Sequence, residues 1–144
     1  MKLSTAVFFL WELPQNVLGA MNFAVQHMMG NVLRIERRHD RYLVEIRGDG
    51  AISLGSLVFH TKRDNAFVPV GAENRDHEWG HSVQSRIFGP FYLVVVGVPS
   101  VMRVAYAILY RGFTGHRWGE YYDGWPENSA DRLGDVDRGT RPKA

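Results

Sequence analysis

The chain has 144 residues, 45% hydrophobic and 22% charged, with 6 histidines, no cysteine and a net charge of +2. That is one domain's worth of foldable chain, and the missing thiols exclude disulfides, thiolate metal ligands and cysteine nucleophiles. So small a positive excess gives no electrostatic basis for a nucleic-acid partner; Arg34, Arg37, Arg38 and Arg41 are mixed with Glu36 and Asp40, as charges on a strand surface are.

From about Thr5 to Met29 the sequence predicts a helix dense in Phe8, Phe9, Leu10, Leu13, Val17, Leu18 and Met21, with a kink at Pro14. Near-alternating apolar residues follow at Val32 to Ile35, at Tyr42 to Ile46, and from Ile52 to Phe59. Turn residues at Arg38-His39-Asp40 and Gly48-Asp49-Gly50 make these a three-stranded antiparallel meander. A loop runs from about His60 through Pro69 to Gly71, after which Glu73, Asp76 and Glu78 open a second helix that stops at Gly89-Pro90.

Ile87 to Met102 is almost wholly apolar, but Pro90, Gly97, Pro99 and Arg103 interrupt it, so buried core or a hairpin on a membrane surface is expected rather than a clean span. Cytoplasm and membrane surface both remain open as locations. A second apolar helix covers Pro99 to Tyr110, and a last helix runs from Pro126 through Glu127 to Leu133, with Gly134 as its cap. The expected fold is α+β, one domain over residues 1–133, with a polar tail over 134–144 that frays.

Residues 77 to 81 read His-Glu-Trp-Gly-His. On a helix, positions i and i+4 lie one above the other, so His77 and His81 can converge on one metal ion. Glu78 projects about 100° round the helix, angled away from ligation and within reach of a water at that metal. With no cysteine in the chain, a third ligand must be a carboxylate or another histidine, and catalytic zinc takes three protein ligands with one position open. Glu127 is the leading choice, with Glu120 and Asp123 as alternatives. Asp131, one turn beyond Glu127, is placed to hydrogen-bond the far nitrogen of a ligand histidine. His116, Tyr121 and Tyr122 precede the ligand helix and are candidate donors to a developing oxyanion. His27, His39 and His60 read as structural or solvated, and Trp79 as packing for the metal helix.

HEWGH followed by ENSADR resembles the gluzincin type of zincin metallopeptidase, H-E-x-x-H with a downstream E-x-x-x-D. The E-x-x-A-D-R form is most similar to CAAX prenyl proteases and HtpX-like proteases, of which this chain would be a minimal bacterial version. The resemblance implies a small zincin-like domain and a zinc peptidase acting on peptide or protein substrates. It implies His77, His81 and Glu127 as ligands, Glu78 as general base and Asp131 as the residue behind the ligands. It also hints at cleft contacts from Trp11, Gln15 and Asn16, and at a substrate-binding edge strand over Ser53 to Phe59. A metal that only stabilises the fold, or a membrane-associated interaction module, is the competing expectation.

Overall fold

In the computed structural model, which describes residues 3–68 and 73–139, the alternating segments pair into one mixed sheet. The end of the expected loop, Pro69 to Gly71, and residues 140–144 of the expected tail lie outside the described residues. β1 (Val32–Arg38) and β2 (Arg41–Ile46) form the anticipated antiparallel hairpin, from Val32 opposite Ile46 to Arg38 opposite Arg41. The run expected as one third strand is instead two, β3 (Ile52–Leu54) and β4 (Leu57–His60). Gly55, at φ +61°, takes the left-handed conformation that lets the chain reverse within Gly55-Ser56. Because apolar residues sit on both sides of that turn, the pattern reads as one uninterrupted strand. β4 then runs parallel to β2, and the order is β1-β2-β4-β3 rather than a three-stranded meander.

The two central strands are buried on both faces. Val44, Ile46 and Phe59 form one apolar cluster, completed by Phe23 of α2 (Leu13–Met28). Strand alternation turns Leu43 and Val58 to the other face, and α3 (Asn74–Phe88) packs on β3 and β4. β1 is the charged edge: Arg34 and Arg75 pair with Glu36 at 2.7 and 2.8 Å. Such charges keep an edge from pairing with another chain.

The N-terminal helix divides as Pro14 suggests, into α1 (Leu3–Trp11) and α2, with Glu12 at the junction. The apolar segment departs more from expectation. A π-helical turn over Leu93–Gly97 leads without interruption into α4 (Val98–Thr114), a helical run of 22 residues. Pro99 does not break it: the proline falls where the π-helical turn meets α4, and the Val95 carbonyl one turn back accepts the Trp125 indole N–H at 3.0 Å instead. Nor is this run buried core: only 11% of its apolar window is covered by the protein. α5 (Glu127–Leu133) closes the fold against α3.

Glu12 is fully buried, and the elements meet on it. Its carboxylate accepts from Arg41 of β2 at 3.0 Å, from Ser85 of α3 at 2.6 Å and from Arg86 at 3.1 Å. Arg41 also donates to the backbone carbonyls of Gly55 and of Ser82, the latter at 2.7 Å. One guanidinium thereby ties the N-terminal helices, the β3–β4 turn and α3. Removing one partner strands a buried charge, which typically costs about 3–5 kcal/mol, whereas replacing both with apolar groups costs far less. In urea unfolding, Glu12→Gln should lose stability on that scale, and Arg41→Met less, because Arg86 and Ser85 still hold the Glu12 carboxylate. The Glu12→Leu/Arg41→Met double variant should recover a large part of it.

Candidate metal centre

α3 carries few apolar residues, yet Asn74, His77, Glu78, His81, Ser82, Gln84 and Ser85 are all buried along it. A polar helix is buried this way when most of its side chains find partners, and α5 with its preceding Pro126 supplies them for His77, His81 and Gln84. Gly80 is what lets the two helices meet. A β-carbon there would lie 1.9 Å from the carbonyl oxygen of Ala130, and one at Gly134 would lie 2.0 Å from that of Asp76. Both contacts are backbone against side-chain-free backbone, one helical turn apart on each helix.

At this crossing, His77 Nε2 and His81 Nε2 stand 3.0 and 3.1 Å from the same oxygen, Oε2 of Glu127. Among the described residues, these three form the group able to hold a metal ion, with one ligand atom from each lying within 4.8 Å of the others. The far side of each ring is already committed. His77 Nδ1 meets Asp131 Oδ1 at 2.7 Å, and His81 Nδ1 meets Gln84 Oε1 at 2.7 Å. The orientation of the Gln84 amide follows from its other end, where its nitrogen donates to the Pro126 carbonyl at 3.0 Å. A carbonyl only accepts, so the oxygen of Gln84 faces His81 and Nδ1 must be the donor. In the neutral rings, both Nε2 atoms therefore present lone pairs. Glu127 is satisfied on its other oxygen, where Ser100 donates to Oε1 at 2.6 Å.

Three buried lone-pair donors thus face a single point, an arrangement able to hold a cation between them. The two imidazoles and one carboxylate are the donor set of a catalytic zinc, whose ligand atoms would be separated by roughly 3.3 Å for bonds of about 2.0–2.1 Å. Glu78 adds a second sign of fit: it is buried, it borders the same cavity, and its Oε2 has no hydrogen-bond partner.

The buried carboxylates and rings shift one another's protonation. Burial pushes the Glu78 carboxyl up to about 7; the His81 charge opposes the rise and Glu127 adds to it. Burial also acts to raise Glu127, but its hydrogen bonds to His77 and His81 outweigh that and hold it well below the usual carboxylate range. His77 is raised despite its burial, because Asp131 and Glu127 both favour the charged ring.

The centre opens into a cavity of about 780 Å³ whose walls include Ile52 and Leu54 of β3, Leu18 of α2, and Val96, Val101 and Val104 of the long apolar run. Tyr121 and Tyr122 also line it, and the Tyr122 ring stands edge-on to His77 at 5.0 Å between centroids. His116 is not brought here. Gly115, in a left-handed conformation, ends α4 and turns His116 to solvent, where its backbone N–H donates to Thr114 Oγ1. Glu120 and Asp123 are exposed, so Glu127 alone of the three carboxylates meets both rings.

Gln15 and Trp11 bind the far end of the metal helix, through Ser85, Gly89 and Arg86, and Asn16 receives the Ser56 N–H. None of the three borders the cavity. Trp79 packs on the β1–β2 turn, under the Arg38 guanidinium at 4.2 Å, rather than on the apolar core. Gln84, Ser100 and Gly80 go unmarked by the metal motif. Gln84 had a signal, since it lies one turn beyond His81 on the same face; Ser100 arrives from a distant helix and had none.

Comparison with protein-family profiles, curated proteins and solved structures returns no match for the chain. The chemistry of the centre therefore carries the functional argument alone.

Gly80→Ala should force α3 and α5 apart, at a cost of about 1–3 kcal/mol for a clash of this kind. Thermal unfolding should show the lower stability. Zinc titration should show a centre that no longer binds stoichiometrically, because Glu127 moves with α5.

Proposed function

We propose that the chain is a zinc-dependent metallopeptidase working at a membrane surface. The convergence of three buried lone pairs, from His77, His81 and Glu127, on one point carries this reading. Zinc in that donor set supplies an acidified water and a Lewis acid for a carbonyl oxygen. Glu78 then has a defined task. Its Oε2 has no partner, the residue borders the cavity, and a carboxyl that burial lifts to about 7 takes and returns a proton near neutral pH. Asp131 and Gln84 keep the two rings in the tautomer that directs Nε2 at the ion. Tyr122, against His77 and on the cavity wall, is the candidate donor to an oxyanion. His116 has no part in it. An ion serving only the fold closes all four positions with protein; here three protein ligands sit beside a carboxylate that ligates nothing.

A peptide substrate suits the cavity. β3 is the sheet edge that borders it, and main-chain pairing along that edge is a general mode of peptide capture. Ser53 already gives its carbonyl to the Tyr92 hydroxyl at 3.0 Å, so recognition rests on the apolar walls as well as on the strand.

The membrane part of the proposal rests on exposed apolar side chains. Val17 and Met21 of α2 are 50% and 61% exposed, and Val101 and Met102 of α4 are each 66% exposed. A helix that is apolar around most of its surface and uncovered belongs against something apolar. The segment after α4 argues for lying in the surface rather than crossing: its Glu120 and Tyr121 carbonyls bind Arg103, halfway along the helix. Irregular backbone of that kind is not tolerated against lipid tails.

Metal analysis of purified protein should give about one zinc per chain, lost in His81→Ala. Glu78→Gln should keep the zinc while peptide hydrolysis drops by about 10²-fold or more. Undiminished hydrolysis in that variant would remove Glu78 as the base, and a wild type that takes up no zinc would sink the whole reading. The membrane claim has its own measurement. The wild type should float with phospholipid vesicles in a density gradient and Val101→Glu/Met102→Lys should not; a wild type that stays at the bottom refutes it.

A further inference from the structure

We propose that Arg138 is a positioning residue of the metal centre, so that docking of the segment 134–139 and binding of the metal are coupled. This rests on the metal reading above and adds to it a residue from a part of the chain whose composition suggests fraying. Arg138 forms a two-point fork with Asp131, Nε to Oδ2 at 2.7 Å and a terminal nitrogen to Oδ1 at 2.9 Å. The same Oδ1 accepts the Nδ1 proton of His77. A planar guanidinium fork sets the plane of the carboxylate it grips, which a point charge cannot do. The plane of Asp131 in turn sets the plane and tautomer of His77.

A second route reaches the same ring. The Arg138 guanidinium lies 3.3 Å over the Tyr122 ring, and Tyr122 stands edge-on against His77. One residue therefore braces both partners of one ligand, from a backbone that the ligand helix itself holds. Gly134 N–H donates to Ala130, and Val136 N–H to the Asp131 carbonyl at 2.8 Å. Coupling of this sort is reciprocal: whatever factor the docked segment adds to metal affinity, the metal adds to docking of the segment.

The test uses the full chain and zinc itself. Zinc affinity is measured by competition with a chromogenic chelator for the wild type, Arg138→Ala, Arg138→Lys and Arg132→Ala. Arg138→Ala should bind zinc about 10-fold more weakly, the lower end of the usual range for residues behind metal ligands. Its cobalt-substituted form should also show an altered visible spectrum. Arg138→Lys should recover only part of the affinity, since it keeps the charge and loses the fork. Arg132→Ala, an exposed side chain on α5, should match the wild type. Amide exchange on the wild type needs no variant: the Val136 N–H should slow on adding zinc by about the factor that Arg138→Ala loses. Wild-type affinity in Arg138→Ala, or Val136 exchange indifferent to zinc, overturns this proposal and leaves the zinc centre standing. A wild type that binds no zinc overturns both.

Discussion

The centre depends on one close approach, that of Gly80 to the backbone of Ala130. With any side chain at position 80, α5 could not lie near enough for a single oxygen of Glu127 to reach both histidines. Gly134 repeats the contact one turn along, against Asp76, so two points fix how α5 lies on α3. Gln84 then measures the result, since it spans from His81 to the Pro126 carbonyl at the start of α5. Backbone contact thus sets the spacing, and hydrogen bonds set the rotation of each ligand. A pair of helices held apart by larger residues would adjust by several tenths of an ångström, and a metal centre tolerates little of that.

Holding α3 this way has a consequence for stability. Its buried side chains are mostly polar, so it gains little from apolar burial and depends on partners on either side. α5 provides them at the metal motif. At its other end Glu12 and Arg41 do, through Ser85, Arg86 and the Ser82 carbonyl. The two polar clusters share the helix, and each satisfies most of its own buried groups, the exceptions being Glu78 Oε2 in one and Gln15 Oε1 in the other. A loss at either end leaves unpaired groups in the interior, where they cost most.

How legible this was in the sequence varied with the range of the interaction. His77, Glu78 and His81 lie within one helical turn, where spacing alone dictates geometry, and Glu127 with Asp131 repeats that logic on a second helix. Choosing Glu127 over Glu120 or Asp123 needed the tertiary fold, because only the helix crossing decides which carboxylate faces inward. The β3–β4 reversal was hidden for a different reason: Leu54 and Leu57 flank the turn and keep the apolar alternation running through it. Arg103 was read as an interruption of an apolar stretch. It turns out to face the return segment, bound to two of its carbonyls and stacked on Trp118 at 4.7 Å, which leaves the outer face of α4 apolar. Composition cannot report which way one charge points. Nor can it report Arg138, whose segment has the residue content of a frayed tail and is held in place by contacts with α5 and Tyr122.

The long apolar helix joins the outward surface to the chemistry. Ser100, in the first turn of α4, holds the oxygen of Glu127 that faces away from the histidines, and Arg103, one turn on, holds the segment leading into α5. Val101, Met102 and Val104 lie between and beside these anchors and form cavity wall. A displacement of α4 along its axis would therefore move the Glu127 carboxylate, the approach to α5 and the cavity wall together. An exposed apolar helix is thus mechanically continuous with a carboxylate buried in the interior. Whatever α4 rests against is for that reason part of the environment of the His77–His81–Glu127 cluster, at a distance of one serine side chain.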